Sequence, residues 1–343
     1  MPTPEQQYIE LLTEKFGLPS DSSDLSQPVS YASNLMGRGM PVLFDLRHLA
    51  HVTGVSANVL GLMRHNPSAF YSRFVVRKRS GGSREIAAPT PELKRVQKWI
   101  NRTIAQRLPM HETAHGFRHG RSIVTNAELH VGADAILAFD LRDFFHMVGR
   151  RFVLSRFRDV GYSRLVSRFL TDFVTLDGRL PQGAPTSPAL ANSAAQQLDR
   201  RLEAYSVKHR ATYSRYADDL TFSGARSVIH GRRFKRTVEA ILRDSGFPPQ
   251  DAKTRYMDNT ERQRVTGLVV NERVNAPRER RRWLRQELYY LERFGLEGHL
   301  LRTGSERANY RSYIYGHVVA LFASNPREAG DYLTRLDRMV WES

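Results

Sequence analysis

The chain has 343 residues, with 52 Lys and Arg against 35 Asp and Glu, a formal charge of +17 and a pI near 10.4. That length can bury a large core in two or three packed subdomains, and a charge so lopsided asks for a polyanionic partner. The absence of cysteine excludes disulfides and thiolate metal sites. No apolar run approaches the roughly 18 residues of a membrane span and no leader-like start is present, so the protein is expected to be soluble and cytoplasmic, with no membrane partner.

Taken in chain order, residues 5–16 can form a short amphipathic helix, and the Ser, Asp and Pro rich stretch over 19–28 reads as an exposed linker. Residues 45–60 read as a helix, a turn at Gly54, and a second helix capped by Ser56. This is half of a helix-turn-helix, but few base-reading side chains stand at the start of its second helix, so a packing role is predicted. Residues 71–89 read as two strands joined by a basic Gly-Gly tip. A cationic loop of this kind can close over a triphosphate, with Lys78 and Arg84 offering charge-assisted bonds. Residues 92–108 carry Leu93, Val96, Trp99, Ile100, Ile104 and Leu108 at helical spacing, and the Gly-punctuated basic stretch 114–123 must be looped.

A strand over 135–139 ends on Asp140. Helical spacing then runs over 142–160 and 166–175, residues 180–183 form a loop, and a helix is predicted over 188–205. Residues 213–222 form an apolar run broken by Asp218 and Asp219, which reads as two short strands with Ala217, Asp218 and Asp219 at the turn. A helix over 232–244, a turn through Pro248 and Pro249 to Lys253, and a hairpin over 262–275 with a polar turn at 271–273 follow. Beyond them, a basic helix starts at Arg278 with Trp283, Leu284, Leu288 and Leu291 on one side, and two more helical stretches span 306–322 and 326–340. This order predicts an α+β fold with an antiparallel sheet and helices on one face. Two adjacent carboxylates in a tight turn are costly unless a cation shares the site, and hard oxygen ligands suit Mg²⁺. With Asp140 at a neighbouring strand end, three carboxylates point to two-metal phosphoryl transfer.

These residues resemble a known family. Tyr216-Ala-Asp-Asp219 is similar to the Tyr-x-Asp-Asp box of reverse transcriptases, Phe139-Asp-Leu-Arg-Asp-Phe-Phe145 to their first palm motif, and Leu180-Pro-Gln-Gly-Ala-Pro-Thr-Ser-Pro188 lies between them in the family's order. The resemblance implies a right-hand polymerase of fingers, palm and helical thumb, with Asp140, Asp218 and Asp219 as ligands of two Mg²⁺ ions. Deoxynucleoside triphosphates would be met by Lys78, Arg84, Gln182 and Gly183, and Phe145 would bar a 2′-hydroxyl. Tyr216 would support the primer end. Lys253 would donate a proton to pyrophosphate, although the Pro248-Pro249 pair departs from the usual strand start and leaves the register of that Lys open.

Asn126-Ala-Glu-Leu-His130 and Val265-Thr266-Gly267 resemble two boxes that mark retron reverse transcriptases. That resemblance implies a cognate structured non-coding RNA as template and primer, DNA begun from an internal RNA 2′-hydroxyl, a branched RNA-DNA product, and a role in anti-phage defence. Because the chain ends soon after the thumb, the effector is expected to be a separate protein. RNA contacts are expected at Asn126, His130, Val265, Thr266, Gly267, Arg278, Arg281, Arg282 and Arg285. The division expected is 1–65 as an N-terminal helical extension, 66–275 as fingers and palm, and 276–343 as an RNA-binding thumb. Competing readings are another bacterial reverse transcriptase of the intron-derived or abortive-infection type, an RNA-binding scaffold with an idle site, and a DNA regulator resting on 45–60 alone.

Overall fold

The computed structural model describes residue 10 and residues 23–77, 82–339 and 341. The helix expected over 5–16 therefore lies, Glu10 apart, outside the described residues. The chain divides into two compact units: residues 1–112, 142–200 and 245–247 form the first, and residues 113–141, 201–244 and 248–343 the second.

In the first unit, the stretch expected to be linker is helical from Ser23 to Gly37. Tyr31, Ala32 and Leu35 recur at helical spacing, and burial of Ala32 and Leu35 outweighs the Pro28 in its second turn. Helices Leu46–Thr53 and Ala57–His65 follow as expected, capped by the Asp45 and Ser56 side chains and separated by Gly54 in the left-handed conformation. Strands β1 (Tyr71–Arg77) and β2 (Ser83–Pro89) pair antiparallel with Val76 opposite Arg84, and Lys78 at the tip lies outside the described residues. The helix after them is shorter than its apolar spacing predicts, covering Pro91–Thr103 before a 3-10 turn. Helical structure expected from residue 142 begins only at Arg150, because Asp143 stands at φ 47 and turns the chain first. The helix predicted over 188–205 is two helices, Ser187–Ala194 and Gln196–Lys208. Ala195 closes the first of them by donating to the Ala191 carbonyl.

In the second unit, β3 (Ala135–Asp140), β4 (Thr212–Tyr216), β5 (Asp219–Gly224) and β6 (Arg255–Asp258) form an antiparallel sheet in the order β4-β5-β3-β6. Alternation along the strands sorts the side chains to two faces. On one face Phe222 meets Phe139 edge-on at 5.9 Å, stacks on Tyr213 at 4.9 Å, and touches Phe234 of the helix Arg232–Asp244 at 5.8 Å. On the other, Ile136 and Met257 pack with Ala127, Val265, Leu268 and Val270.

The hairpin expected to turn at 271–273 turns at Thr266 and Gly267, between β7 (Arg264–Val265) and β8 (Leu268–Val269). Both turn residues have positive φ, 48° and 82°, as a type I′ turn requires. Asn271, the residue that suggested a turn, uses its side chain to accept from the Gln263 N–H and to donate to the Asn259 and Glu261 carbonyls. A Cβ at Gly267 would meet nothing within 4 Å, so Gly267→Ala tests backbone strain alone. It is expected to cost about 1 kcal/mol, read as a lower urea midpoint; an unchanged midpoint would refute the turn.

The C-terminal helices are Arg278–Thr303, Tyr310–Phe322 and Pro326–Asp337, joined through Leu284, Leu288, Leu291, Ile314, Val318, Leu321 and Leu336. Gly295 breaks the first of them with φ 66 and ψ 178. Glu287 and His299 would lie about 18 Å apart on an unbroken helix. Instead the His299 ring is 2.9 Å from the Glu287 carboxylate, which also accepts from the Tyr310 hydroxyl, so the two halves are folded against each other.

Candidate active site

The sheet of the second unit brings Asp140 and Asp219 to one end. Asp140 is the last residue of β3 and faces Asp219, the first of β5, in the strand register. Tyr216 and Asp219 close the β4-β5 hairpin, leaving Ala217 and Asp218 as a two-residue turn. Ala217 has φ 58, a left-handed backbone at the first central position, as in type II′ turns. The Leu141 N–H donates to the Asp218 carbonyl at 2.9 Å, which ties the end of β3 to the turn. Asp140, Asp218 and Asp219 are thus brought together by backbone pairing rather than by loops.

Lys253 joins them. The segment after Pro248 runs beside the end of β3: Leu141 bridges to Pro249, and the Gln250 N–H donates to the Asp140 carbonyl at 2.7 Å. A short 3-10 turn then sets the Lys253 ammonium 2.7 Å from an Asp140 carboxylate oxygen. The two Pro residues do not shift this Lys out of reach.

The Asp219 carboxyl is pushed up to about 6, first by the protein that strips it of water and then by the charges of Asp218 and Asp140. Its side chain still opens to solvent beside those carboxylates. A raised pKa means the fold favours the protonated form, so Asp219 contributes stability below about pH 4 that is lost as pH rises through about 6. In protein freed of divalent ions, the thermal midpoint of the wild type should fall relative to Asp219→Asn across that window. Parallel curves for the two proteins would show an ordinary carboxyl.

The donor set fits a hard divalent cation in its chemistry: carboxylate oxygens at adjacent strand ends, crowded enough to repel, one already drawing an ammonium. As they stand, no three acidic, His or Cys side chains among the described residues converge closely enough to hold an ion.

Other expected site residues belong to the first unit. Arg84 is exposed on β2. Phe145 is half-buried, with its ring 5.6 Å from that of Phe144, which is buried and lies 5.7 Å from the Phe247 ring. The Gln182 carbonyl accepts from the Ala87 N–H at 2.8 Å. Gly183 follows at φ 122, where a Cβ would come 2.8 Å from the Ala87 carbonyl oxygen. The close approach its missing side chain permits in this structure is therefore to β2.

The expected RNA contacts divide. Asn126, His130 and Val265 are buried. His130 lies 2.7 Å from the hydroxyls of both Ser214 on β4 and Ser223 on β5. Burial pushes its pKa down to about 3, so it ties the two strands as a neutral ring. The Thr266 hydroxyl donates to the Ile123 carbonyl, while Gly267 is exposed. Arg278 and Arg282 are exposed on the basic helix. Arg281 and Arg285 pair with Glu328, at 2.6 and 3.6 Å, and so are partly neutralised. Arg262, Arg278, Arg281 and Arg285 line a cleft of about 320 Å³.

One residue that motif reading passed over is Gly116. A Cβ there would lie 2.7 Å from the Ala217 nitrogen and 3.3 Å from the Tyr216 carbonyl carbon. The signal was present as Gly punctuation in a basic stretch, but only the fold shows what that Gly abuts.

Comparison with known proteins agrees with this geometry. The family described as reverse transcriptase (RNA-dependent DNA polymerase) matches residues 76–271. The chain is 37% identical to the Retron Mx162 reverse transcriptase of Myxococcus xanthus over 264 residues, 68% of this chain but only 54% of that protein. It is 37% identical to the Retron Mx65 reverse transcriptase of Myxococcus xanthus over 273 residues, 73% of this chain and 64% of the relative. With the Retron Ec86 reverse transcriptase of Escherichia coli the identity is 34% over 309 residues, 89% of this chain and 93% of the relative. The family match takes in β3, the β4-β5 hairpin and Lys253, and the last likeness runs nearly end to end. The chain accordingly belongs to the reverse transcriptases, with the right-hand polymerase fold, and within them to the retron type.

Proposed function

We propose that this protein copies part of its cognate structured non-coding RNA into DNA, starting from an internal 2′-hydroxyl of that RNA and leaving a branched RNA-DNA product. The observation that carries the polymerase reading is the register of Asp140 opposite Asp219, with Asp218 in the adjoining turn and Lys253 on Asp140. Asp140, Asp218 and Asp219 would hold two Mg²⁺ ions, which when bound make the attacking hydroxyl nucleophilic and offset charge on the phosphates.

The chain's own residues then align the reactants. Lys253 sits where an ammonium can move from Asp140 to the leaving pyrophosphate and donate its proton there. Tyr216 backs the primer terminus from the hairpin. Arg84, with Lys78, meets the triphosphate of the incoming deoxynucleotide, Gln182 and Gly183 line its approach, and Phe145 closes the space a 2′-hydroxyl would need. The three-part division into 1–65, 66–275 and 276–343 serves these roles as extension, catalytic fingers and palm, and thumb. Arg278 and Arg282, with Arg281 and Arg285 turned toward Glu328, offer the RNA a basic surface, and Thr266 and Gly267 add the hairpin tip. His130 acts on the RNA only through the strands it ties, and Asn126 only from its buried place on the helix Ile123–Glu128. Among the described residues no helix is long and apolar enough to cross a membrane, which suits work in the cytoplasm. A separate effector protein would complete a defence system against phage.

The test is to co-express the chain with the RNA encoded beside it, extract nucleic acid, and sequence it before and after 2′-5′ debranching. DNA released from RNA by debranching is the expected result. DNA carrying no RNA branch would remove the priming claim while leaving the polymerase, and no DNA at all would leave an RNA-binding scaffold.

A further inference from the structure

Among the described residues Arg215 is the bulkiest fully buried side chain, and it precedes the Tyr216-Ala-Asp-Asp219 hairpin turn by one residue. A guanidinium is held that deep only against acceptors. One of them is the Ala217 carbonyl, which accepts from Arg215 Nη1 at 2.9 Å. The bond spans the turn from its root to its first central residue. That residue is an alanine at φ 58, a backbone region an L side chain rarely adopts, so the turn does not persist on local preference alone.

The Arg215 backbone is pinned as well. Its N–H donates to the Thr113 carbonyl and its carbonyl accepts from the His115 N–H, both at 2.8 Å, so residues 113–115 lie along β4. Gly116 then passes against Ala217, closing the space into which the turn could relax. The side chain holds the Ala217 carbonyl, the 113–115 segment holds the Arg215 backbone, and Gly116 backs the Ala217 nitrogen, so all three bear on the turn that presents Asp218.

We propose that Arg215 is a positioning residue for DNA synthesis: by holding the Ala217 carbonyl it fixes the backbone from which Asp218 is presented. The assignment rests on the polymerase reading given above. It predicts a loss in turnover with little loss in binding, because Arg215 touches no surface that nucleic acid or nucleotide can reach.

The experiment compares wild type, Arg215→Met, Arg215→Lys and Asp218→Asn in single-nucleotide extension of a DNA primer on an RNA template. The nucleotide is titrated, template-primer affinity is read by fluorescence anisotropy, and thermal midpoints are recorded. Arg215→Met, similar in length without a donor, should lose at least thirtyfold in kcat with nucleotide KM and template-primer Kd within threefold of wild type. Arg215→Lys, which keeps a donor, should recover at least tenfold of that loss. A core-filling role predicts the opposite order, since Met is the easier residue to bury. If Arg215→Met does not fold, Arg215→Gln takes its place under the same thresholds. The assignment is overturned by a folded Met or Gln variant with kcat within threefold of wild type, by a loss carried in KM, by equal losses in the donor and non-donor variants, or by failure of all three to fold. A wild-type protein that extends no primer would instead defeat the polymerase reading.

Discussion

Asp218→Asn is expected to lower the rate of DNA synthesis by a factor on the order of 10³, about 4 kcal/mol of transition-state stabilisation. Asn keeps the size of the side chain and removes its charge. The turn should survive, because Asp218 holds its place through its backbone carbonyl, which accepts from Leu141, and through the Tyr216-Asp219 pairing. Affinity for RNA should be unchanged, since the excess of 17 positive charges is carried elsewhere. Asp140→Asn should fall by a similar factor, and it also frees Lys253 from its 2.7 Å partner. Primer extension at saturating nucleotide measures the loss. A residual rate within tenfold of wild type would mean that the carboxylates at the sheet end do not carry the chemistry.

Gly116→Ala is expected to cost a factor on the order of 10² in the same assay, with RNA binding retained. The added Cβ would fall 2.7 Å from the Ala217 nitrogen, a separation that backbone cannot tolerate, so either the 113–116 segment or the turn must retreat by several tenths of an ångström. A shift of about 1 Å in a reacting group is enough for such a loss. If Gly116→Ala extends primers within threefold of wild type, the segment backing the turn is more compliant than the packing implies.

Much of this site is legible before any coordinates, because its chemistry is concentrated in short stretches with strong local preferences. Asp140 ends an apolar strand, and Asp218 and Asp219 interrupt another, so charge placed at strand ends identifies the turn. Where tertiary packing decides, the reading slips. The β7-β8 turn falls on Thr266 and Gly267 because Val265 and Leu268 bury into the sheet cluster, which local turn propensity around Asn271 does not register. The helix from Ser23 is drawn in by Ala32 and Leu35 against a Pro that argues otherwise. His130 and Asn126 sit in a motif that resembles a recognition box, yet burial makes His130 a tie between Ser214 and Ser223. Arg215 hides for the opposite reason: an Arg in a basic chain looks like one more surface charge, and only its complete burial distinguishes it.

The break at Gly295 has an effect on how this region can vary. With φ 66 and ψ 178 at the joint, Glu287 and His299 meet only when the residue counts on either side keep both side chains facing inward. Each inserted or deleted residue would swing one of them by about 100° around its rod. Spacing is therefore the conserved quantity to look for among relatives in this stretch: substitutions on the outer faces can drift, whereas a one-residue indel should be purged.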